Sequence, residues 1–234
     1  GILFVYNRSM KKIIAVVEDE KDLNELVSRY LEKEGFQVVS FLDYDQAYQY
    51  LENHTVHLWV LDIMLKDKSG FDLMDEIRHR NSKTPVIFMS ARDQEFDRIL
   101  GLEKGSDDYI TKPIDITVTI AKIQAILRRT YDYTLESDKL SYGALTLNLS
   151  SAKLEGQDFS VDLTRTELLI LEILFNMKNQ IAKREEIMNH CWQGDDFIDD
   201  NTLAVNMTRL RKKLSGVSLG ELIQTKKGIG YFLQ

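Results

Sequence analysis

Five short apolar runs, each separated from the next by a helical pattern, constrain the fold of residues 10–130 more than any other feature. The first run, Ile13 to Val17, is rich in β-branched residues and lacks polar alternation, which is typical of a strand buried on both faces. Similar runs follow at 36–41, 57–61, 85–89 and 109–110. This alternation predicts an α/β fold: a five-stranded, doubly wound parallel sheet covered by helices on both faces.

Residues 138–234 have a different pattern. Short β-type segments, punctuated by Gly143, Asn148 and Gly156, occupy residues 140–163. Three helical patterns follow, and residues 222–234 form a predicted hairpin around Gly228 and Gly230. We therefore expect a smaller α+β domain over 138–234, joined to the first domain, 10–130, by a polar linker at 131–137.

The ends and the composition indicate the class of protein. We interpret residues 1–9 as a cloning scar before a natural start at Met10, with a short native extension as the alternative. The sequence contains no apolar run long enough to cross a bilayer and no secretory signal peptide. Cys191 is the only cysteine, so no internal disulfide can form. These features predict a soluble protein of the reducing cytoplasm with no membrane partner.

The charge of the chain is unevenly distributed. The net charge is −7, which argues against a protein coated in nucleic acid. From Asn201 to Gln234, however, six basic residues accompany a single acid, Glu221. An acidic chain with a basic end predicts one local contact with nucleic acid.

Polar residues follow the predicted strands at the edge of the sheet where functional groups gather. They are Glu18, Asp19, Asp62, Ser90 and Lys112. Carboxylates that lie close together favour a hard divalent cation such as Mg²⁺. Asp62 could then attack a phosphoryl donor and become an aspartyl phosphate. The metal ion, Lys112 and the Ser90 hydroxyl would stabilise the charge of the transferring group.

The order and spacing of four segments resemble the receiver domain of two-component response regulators. These segments are 17–20, 61–65, 89–91 and 107–113. The resemblance implies that Asp62 accepts a phosphoryl group from a sensor histidine kinase. It also implies a Mg²⁺ site in which Asp19 and Asp62 bind through their side chains, Glu18 through water and Met64 through its backbone carbonyl.

The same resemblance assigns a switch. It implies that Ser90 and Tyr109 repack once Asp62 is phosphorylated, and that Lys112 pairs with the phosphate. The sequence departs from the family pattern at Lys66, where a proline is common, and at Ile114, where an aromatic residue is usual. Neither position is a metal or phosphate ligand, so these changes affect the expected rigidity of the loop and the amplitude of switching.

The helical pattern at 201–214 has two distinct faces. Its apolar side chains fall on one narrow stripe that should pack against the domain: Leu203, Met207, Leu210 and Leu214. Thr202, Val205, Asn206, Thr208, Arg209, Lys212 and Lys213 point away from that stripe. Such a helix can enter a DNA major groove, where Asn suits adenine, Arg suits guanine or phosphate, and Val suits a thymine methyl group. Lys212 and Lys213 are better suited to phosphates.

The second domain resembles the winged helix-turn-helix domain of OmpR/PhoB response regulators. The segments that carry the resemblance are 163–171, 184–187, 191–192, 202–214 and 227–231. It implies that 202–214 is the recognition helix and that 222–234 is a wing, with Lys226 or Lys227 near a minor-groove backbone. The predicted promoter DNA contacts are Thr202, Val205, Asn206, Arg209, Lys212, Lys213 and Lys227.

The resemblance also implies two protein partners. The loop at 192–200, whose charged residues Asp195, Asp196, Asp199 and Asp200 are all acidic, should approach RNA polymerase. A second copy of the chain should pair through the fourth helix, fifth strand and fifth helix upon phosphorylation. The expected pairs across subunits are Asp107 with Lys122 and Asp108 with Arg129. Val118 stands opposite Arg98, where the family has a third charged pair.

The sequence therefore predicts a transcription regulator that is activated by phosphorylation and is not an enzyme. Three alternatives stay open. A phosphatase would also form an aspartyl phosphate, although it typically needs an acidic residue at the position of Met64. The second domain could bind a protein instead of DNA, and the regulator could act without phosphate.

Overall fold

The computed structural model describes residues 11–66, 68–91, 95–131, 138–193 and 195–234, with the backbone alone at 95–98. The predicted scar at 1–9 and residues 132–137 of the predicted linker lie outside the described residues. The strands of the first domain are β1 (Ile13–Val17), β2 (Gln37–Phe41), β3 (Leu58–Asp62), β4 (Val86–Ala91) and β5 (Asp108–Lys112). Its helices are α1 (Lys21–Lys33), α2 (Tyr44–Asn53), α3 (Gly70–Arg80), α4 (Glu95–Lys104) and α5 (Ile116–Tyr131).

The five strands form one parallel sheet in the order β2-β1-β3-β4-β5. Alternate residues of β1 belong to two hydrophobic clusters: Ile14 and Val16 to one, Ala15 and Val17 to the other. This alternation places apolar side chains on both faces of the sheet, as the uninterrupted apolar runs predicted. The predicted fold class is confirmed, and the carboxyl ends of the strands form one rim.

The second domain contains two antiparallel sheets and three helices. The first sheet has the order β6 (Lys139–Tyr142), β7 (Leu145–Asn148), β8 (Lys153–Glu155) and β9 (Ser160–Asp162). The helices are α6 (Arg165–Met177), α7 (Arg184–Cys191) and α8 (Asp200–Ser215). The second sheet joins β10 (Ala182–Lys183), β11 (Ile223–Lys226) and β12 (Gly230–Leu233), with β12 in the centre.

Local sequence signals explain where the helices of this domain begin. Thr164 and Glu167 form a capping box that satisfies free backbone amides at the start of α6. The Asp199 side chain accepts a hydrogen bond from the amide of Asn201 and caps α8. Gly230 is required by the pairing of β12 with β10, because a Cβ atom there would lie 1.9 Å from the carbonyl oxygen of Ala182.

Helix α8 packs as its pattern predicted. Leu203, Met207, Leu210 and Leu214 are all buried in the hydrophobic core of the second domain. The helix also contacts α4 of the first domain, while α6 lies beside it in its own domain. One hydrophobic cluster contains residues of both domains, so the two domains are packed against each other. Within the described residues, no helix is both long and apolar enough to cross a membrane.

Candidate functional sites

The predicted carboxylate pocket is assembled at the rim of the parallel sheet. Asp62 ends β3 and is 5 % exposed, and Glu18, after β1, is fully buried. Lys112 ends β5, and its Nζ lies 2.9 Å from Asp62 Oδ2 and 3.3 Å from each carboxylate oxygen of Glu18. The amide of Met64 donates to Asp62 Oδ1 over 3.1 Å. Strands that are far apart in sequence thus bring the predicted groups together.

The pocket concentrates negative charge. Burial raises the pKa of Glu18 to about 8, and the hydrogen bond to Asp62 and its charge add to this effect while Lys112 opposes it. Burial lowers the pKa of Lys112, but the hydrogen bond and charge of Asp62, with those of Glu18, outweigh it, so that the pKa is raised. Lys112 therefore stays charged beside Asp62 at neutral pH, where the raised pKa of Glu18 favours its protonated form.

Three carboxylates offer ligands for a cation. One oxygen from each of Glu18, Asp19 and Asp62 lies within 4.8 Å of the other two. These all-oxygen donors, two of them buried and one half-buried, fit Mg²⁺. The buried Ser90 hydroxyl, at the end of β4, has no hydrogen-bond partner among the described residues. An oxyanion attached to Asp62 would supply the acceptor that this hydroxyl lacks.

Gly70 contributes to the pocket in a way that the sequence did not reveal. A Cβ atom at this position would lie 2.1 Å from the backbone oxygen of Asp62. The absence of a side chain lets the first turn of α3 approach the end of β3 closely. The amide of Gly70 donates to the carbonyl of Ile63 over 2.8 Å, which fixes the loop that follows Asp62.

The predicted DNA-reading face of α8 is only partly accessible in this conformation. Val205 is half-buried, while the predicted DNA contacts Lys212 and Lys227 are exposed, and so is Thr208 on the same side of the helix. Thr202 and Asn206 are fully buried, which corrects their expected exposure. The Asn206 amide donates to the Thr202 carbonyl of its own helix. Both residues lie off the apolar stripe, as predicted, but the periodicity of one helix does not show which other parts of the protein pack against it.

Arg209 is held by the first domain. Its Nη1 donates to the carbonyl oxygens of Leu102 over 2.6 Å and Ser106 over 3.5 Å, both at the end of α4. Its Nε lies 3.4 Å from Glu167, and its side chain is 9 % exposed. Lys213 is also engaged, 2.6 Å from the same carboxylate. These two predicted DNA-contacting cations therefore share one carboxylate in the observed arrangement and are both bonded to groups of the protein.

The residues predicted to form ion pairs between two subunits make contacts within a single chain in this structure. Lys122 lies 3.0 Å from Asp108 and 3.3 Å from Asp195 of the second domain, and all three are buried. Within one chain Lys122 thus pairs with Asp108 and Asp195, and the pair of Asp107 with Lys122 expected across two subunits stays a prediction. Burial raises the pKa of Asp108 to about 6, with Asp195 adding to the effect and Lys122 opposing it.

Asp107 is also part of the contact between the domains. Its Oδ1 accepts from Thr166 Oγ1 over 2.7 Å, and its backbone oxygen accepts from the indole of Trp192. Its Oδ2 accepts from Arg78 of α3 and from the amide of Val86.

Two further residues of the expected dimer surface are Arg129 and Arg98. Arg129, expected to pair with Asp108 of a second subunit, lies 3.0 Å from His190 of α7. The side chain of Arg98 lies outside the described residues.

The predicted switch residue Tyr109 contacts the second domain directly. Its hydroxyl donates to Asp199 Oδ2 over 2.7 Å. Asp199 and Asp195 belong to the loop expected to approach RNA polymerase, so in this conformation both face the first domain. Asp196 and Asp200 remain exposed. Two of the four acidic residues of this loop thus bind side chains of the first domain, which the composition of the loop did not predict.

Sequence reasoning missed Thr166, which bonds Asp107 across the domains, and two residues that hold the groups beside this contact: Glu167, which pairs with Arg209, and Arg78, which pairs with Asp107. Thr166, Glu167 and Arg78 carried no recognised chemical motif. Glu167 had one available signal, because Thr164 three residues earlier completes a capping-box pattern. That signal indicates the start of a helix but not the ion pairs with Arg209 and Lys213.

Comparisons with known proteins agree with this architecture. Residues 14–124 match the family described as response regulator receiver domain, and residues 156–233 match transcriptional regulatory protein, C terminal. The chain is 37 % identical over 219 residues to the response regulator protein GraR of Staphylococcus epidermidis, covering 93 % of this chain and 97 % of that protein. Against GraR of Staphylococcus aureus the identity is 38 % over the same shares.

Solved structures show the same fold. A mutant of RitR aligns with a TM-score of 0.80 at 22 % identity, covering 95 % of this chain and 99 % of that one. DrrB of Thermotoga maritima, described as an OmpR/PhoB homolog, aligns with a TM-score of 0.51 at 26 % identity. That alignment covers 96 % of this chain and all of the other.

Proposed function

This chain belongs to the family of response regulators that join a receiver domain to an OmpR/PhoB-type DNA-binding domain, and from that premise we propose how its own residues work. Asp62 accepts a phosphoryl group from a sensor histidine kinase, and this event controls the binding of promoter DNA by the second domain. The observation that carries the proposal is the pocket itself, in which Asp62 lies 2.9 Å from Lys112 and beside Glu18 and Asp19.

The chemistry at Asp62 is a phosphoryl transfer. A carboxylate oxygen of Asp62 forms a bond to phosphorus while the bond from phosphorus to the histidine nitrogen of the kinase breaks. Mg²⁺ held by Glu18, Asp19, Asp62 and the Met64 carbonyl would neutralise part of the developing charge. Lys112 is in place to pair with the same oxygens, and the Ser90 hydroxyl can donate to one of them.

DNA binding is assigned to α8 and to the β11–β12 hairpin. Thr202, Val205, Asn206 and Arg209 are the proposed contacts to base edges. Lys212, Lys213 and Lys227 are the proposed contacts to phosphates, which position the domain without reading the sequence. The basic end of the chain supports this assignment.

The contact between the domains couples the two events. With Arg209 bonded to α4 and with Asn206 and Thr202 buried, α8 cannot insert fully into a groove. In this proposal the phosphoryl group accepts a hydrogen bond from the Ser90 hydroxyl, and Tyr109 moves towards Ser90. The hydrogen bond from Tyr109 to Asp199 is then lost. The domains then separate, which frees α8 for DNA, and the two conformations compete by population shift.

Separation would also release groups for two further partners. Asp107, Asp108, Lys122 and Arg129 would become available to a second copy of the chain, which is the proposed homodimer. The loop at 192–200 would become available to RNA polymerase. Both proposals follow from the freeing of the same surface.

The test uses the full chain and a small phosphoryl donor with Mg²⁺. Wild type should incorporate label at Asp62, and its affinity for selected genomic fragments should then increase. Asp62→Ala should show neither effect, whereas Asp75→Ala, a matched acidic substitution at an exposed position of α3, should show both. Equal labelling of Asp62→Ala would remove Asp62 from its role.

A second variant tests the DNA-binding part of the proposal separately. Arg209→Ala should weaken binding of phosphorylated protein to its specific fragments, while Lys213→Ala should weaken all sequences about equally. If a variant that combines Arg209→Ala with Lys213→Ala binds DNA like wild type, α8 is not the DNA-binding helix.

A further inference from the structure

A cavity of about 210 Å³ lies between the two domains, away from both the Asp62 pocket and the DNA-reading face of α8. The first domain contributes Lys83, Arg129 and Thr130 to its lining. The second domain contributes the remaining lining residues among those described: Leu149, Ser150, Arg165, Leu168, Leu169 and Glu172. Cavities at domain junctions that combine apolar walls with a few polar groups are common places for small ligands.

Arg165 is the unusual member of this lining. It is 4 % exposed, and its Nε and Nη2 have no hydrogen-bond partner. Its Nη1 makes one long bond, 3.5 Å, to the carbonyl of Cys191, and the Asp107 carboxylate lies 3.8 Å from Nη2, beyond hydrogen-bond distance. A buried guanidinium normally has acceptors for most of its donors, so Arg165 lacks at least two of them.

Most of the charged residues around the cavity have the same sign as Arg165. Lys83, Arg129 and Arg165 bring three cations, and the described lining contains one carboxylate, Glu172. That carboxylate is already in contact with His190 Nε2 through a very short bond. Burial lowers the pKa of Arg165, and the nearby charge of Arg129 lowers it further, although Asp107 opposes both. The described lining therefore carries more positive than negative charge, and the Lys83 Nζ makes one hydrogen bond, to the Ser150 carbonyl over 2.7 Å.

We propose that this cavity between the domains binds a small oxyanion, a phosphate or phosphate ester, through Arg165 and Lys83. A phosphate group supplies acceptor oxygens in the geometry that a guanidinium prefers. The volume is smaller than the roughly 300 Å³ at which drug-sized pockets begin, so it suits a compact anion.

Binding at this place has a consequence for the whole molecule. The proposed ligand contacts Lys83 of the first domain and Arg165 of the second, so it binds only when the domains are packed together. By linkage, the anion stabilises the packed arrangement over the separated one. This site differs from the phosphorylation pocket and needs neither Asp62 nor a metal ion.

The test is equilibrium dialysis of the full, unphosphorylated chain against radiolabelled inorganic phosphate, without Mg²⁺ and at constant ionic strength set with chloride. Wild type should bind one equivalent saturably. Arg165→Gln should weaken binding at least about tenfold, because it removes charge-assisted hydrogen bonds. Lys83→Ala should weaken binding severalfold. The matched control Lys33→Ala removes an exposed lysine of α1 outside the cavity and should bind like wild type.

The outcomes separate cleanly. Absence of saturable binding to wild type, or equal binding by wild type and both cavity variants, overturns the proposal. A loss of equal size in Lys33→Ala would indicate general charge attraction and would also overturn it. If Arg165→Gln does not fold, as judged by circular dichroism, the comparison of Lys83→Ala with Lys33→Ala decides. Labelling of Asp62 by a phosphoryl donor is independent of these results, so failure here leaves the proposed function unaffected.

Discussion

The pocket around Asp62 and the contact surface between the domains differ in how their residues are specified. The pocket is built within one domain, and each of its groups directly follows a strand of a single sheet. The contact surface joins groups from α4, β5 and α5 to groups from α6, α8 and the loop before α8. The first arrangement follows from the topology of one domain, whereas the second depends on how two separately folded surfaces meet.

The two regions also differ in how far their charged side chains are paired with groups of opposite charge. In the pocket, the three acidic side chains outnumber the single cation Lys112, which favours a metal ion. At the contact surface, Arg209 and Lys122 are already satisfied by carbonyl and carboxylate oxygens. The pocket is therefore prepared for an incoming ligand, while the contact surface is closed to DNA and to a second subunit.

Removing Lys112 should have the largest effect and should be confined to the pocket. Lys112→Ala takes away a cation beside the transferring phosphoryl group, so labelling of Asp62 should slow by about 100-fold. Binding of Mg²⁺ should not weaken, because the carboxylates lose a competing positive charge. Labelling rates and a Mg²⁺ titration would measure both effects. Normal labelling by the variant would show that Lys112 is not part of the transfer step.

Removing Lys122 should act on the contact surface instead. Lys122→Met leaves Asp108 and Asp195 buried together without a cation, and breaking a buried pair costs about 3–5 kcal/mol. Separation of the domains moves Asp195 away from Asp108 and removes part of this cost, so the variant should favour the separated state. Because that state binds DNA, the affinity of the unphosphorylated variant for DNA should rise about tenfold. Arg128→Met, an exposed position on the same helix, is the matched control. Gel-shift titration of both variants would show whether Lys122 holds the domains together.

These differences explain how much could be predicted from the sequence. The sheet, the apolar stripe of α8 and the positions of Glu18, Asp62 and Lys112 were predictable because each depends on local periodicity or on the end of a strand. The burial of Asn206 and the partner of Lys122 were not, since helical periodicity describes one element and not the domain that covers it. Gly70 was also missed, because its role depends on the approach of α3 to Asp62.

Removing the Tyr109 hydroxyl would test the link between the two regions. Tyr109→Phe deletes one hydrogen bond to Asp199, worth about 1 kcal/mol, so basal DNA affinity should rise about fivefold. Because the ring stays in place, labelling of Asp62 should be unchanged. Tyr142→Phe, which removes a hydroxyl bond within the second domain, serves as control. Equal affinity of Tyr109→Phe and wild type would mean that this bond does not restrain the domains.

The smallest expected effect is a pH dependence of domain packing that arises from Asp108. Its neighbours are Lys122, Asp195 and the amide of Tyr109, and its pKa of about 6 exceeds the 3.8 of a free aspartate. Because the raised value belongs to the packed state, that state binds more protons between these two values. Stability of the packed state should therefore fall as pH rises through about 6.

Separation of the domains moves Asp195 away and lets water reach Asp108, so the pKa of Asp108 should then be lower. A small separated fraction should accordingly increase up to about fourfold between roughly pH 5.5 and pH 7.5. Energy transfer between dyes on the two domains would measure it. Asp108→Asn imitates the protonated carboxyl and should remain packed across this range. If the variant keeps the full pH dependence of wild type, another group is responsible, and the contact surface does not respond to protons through Asp108.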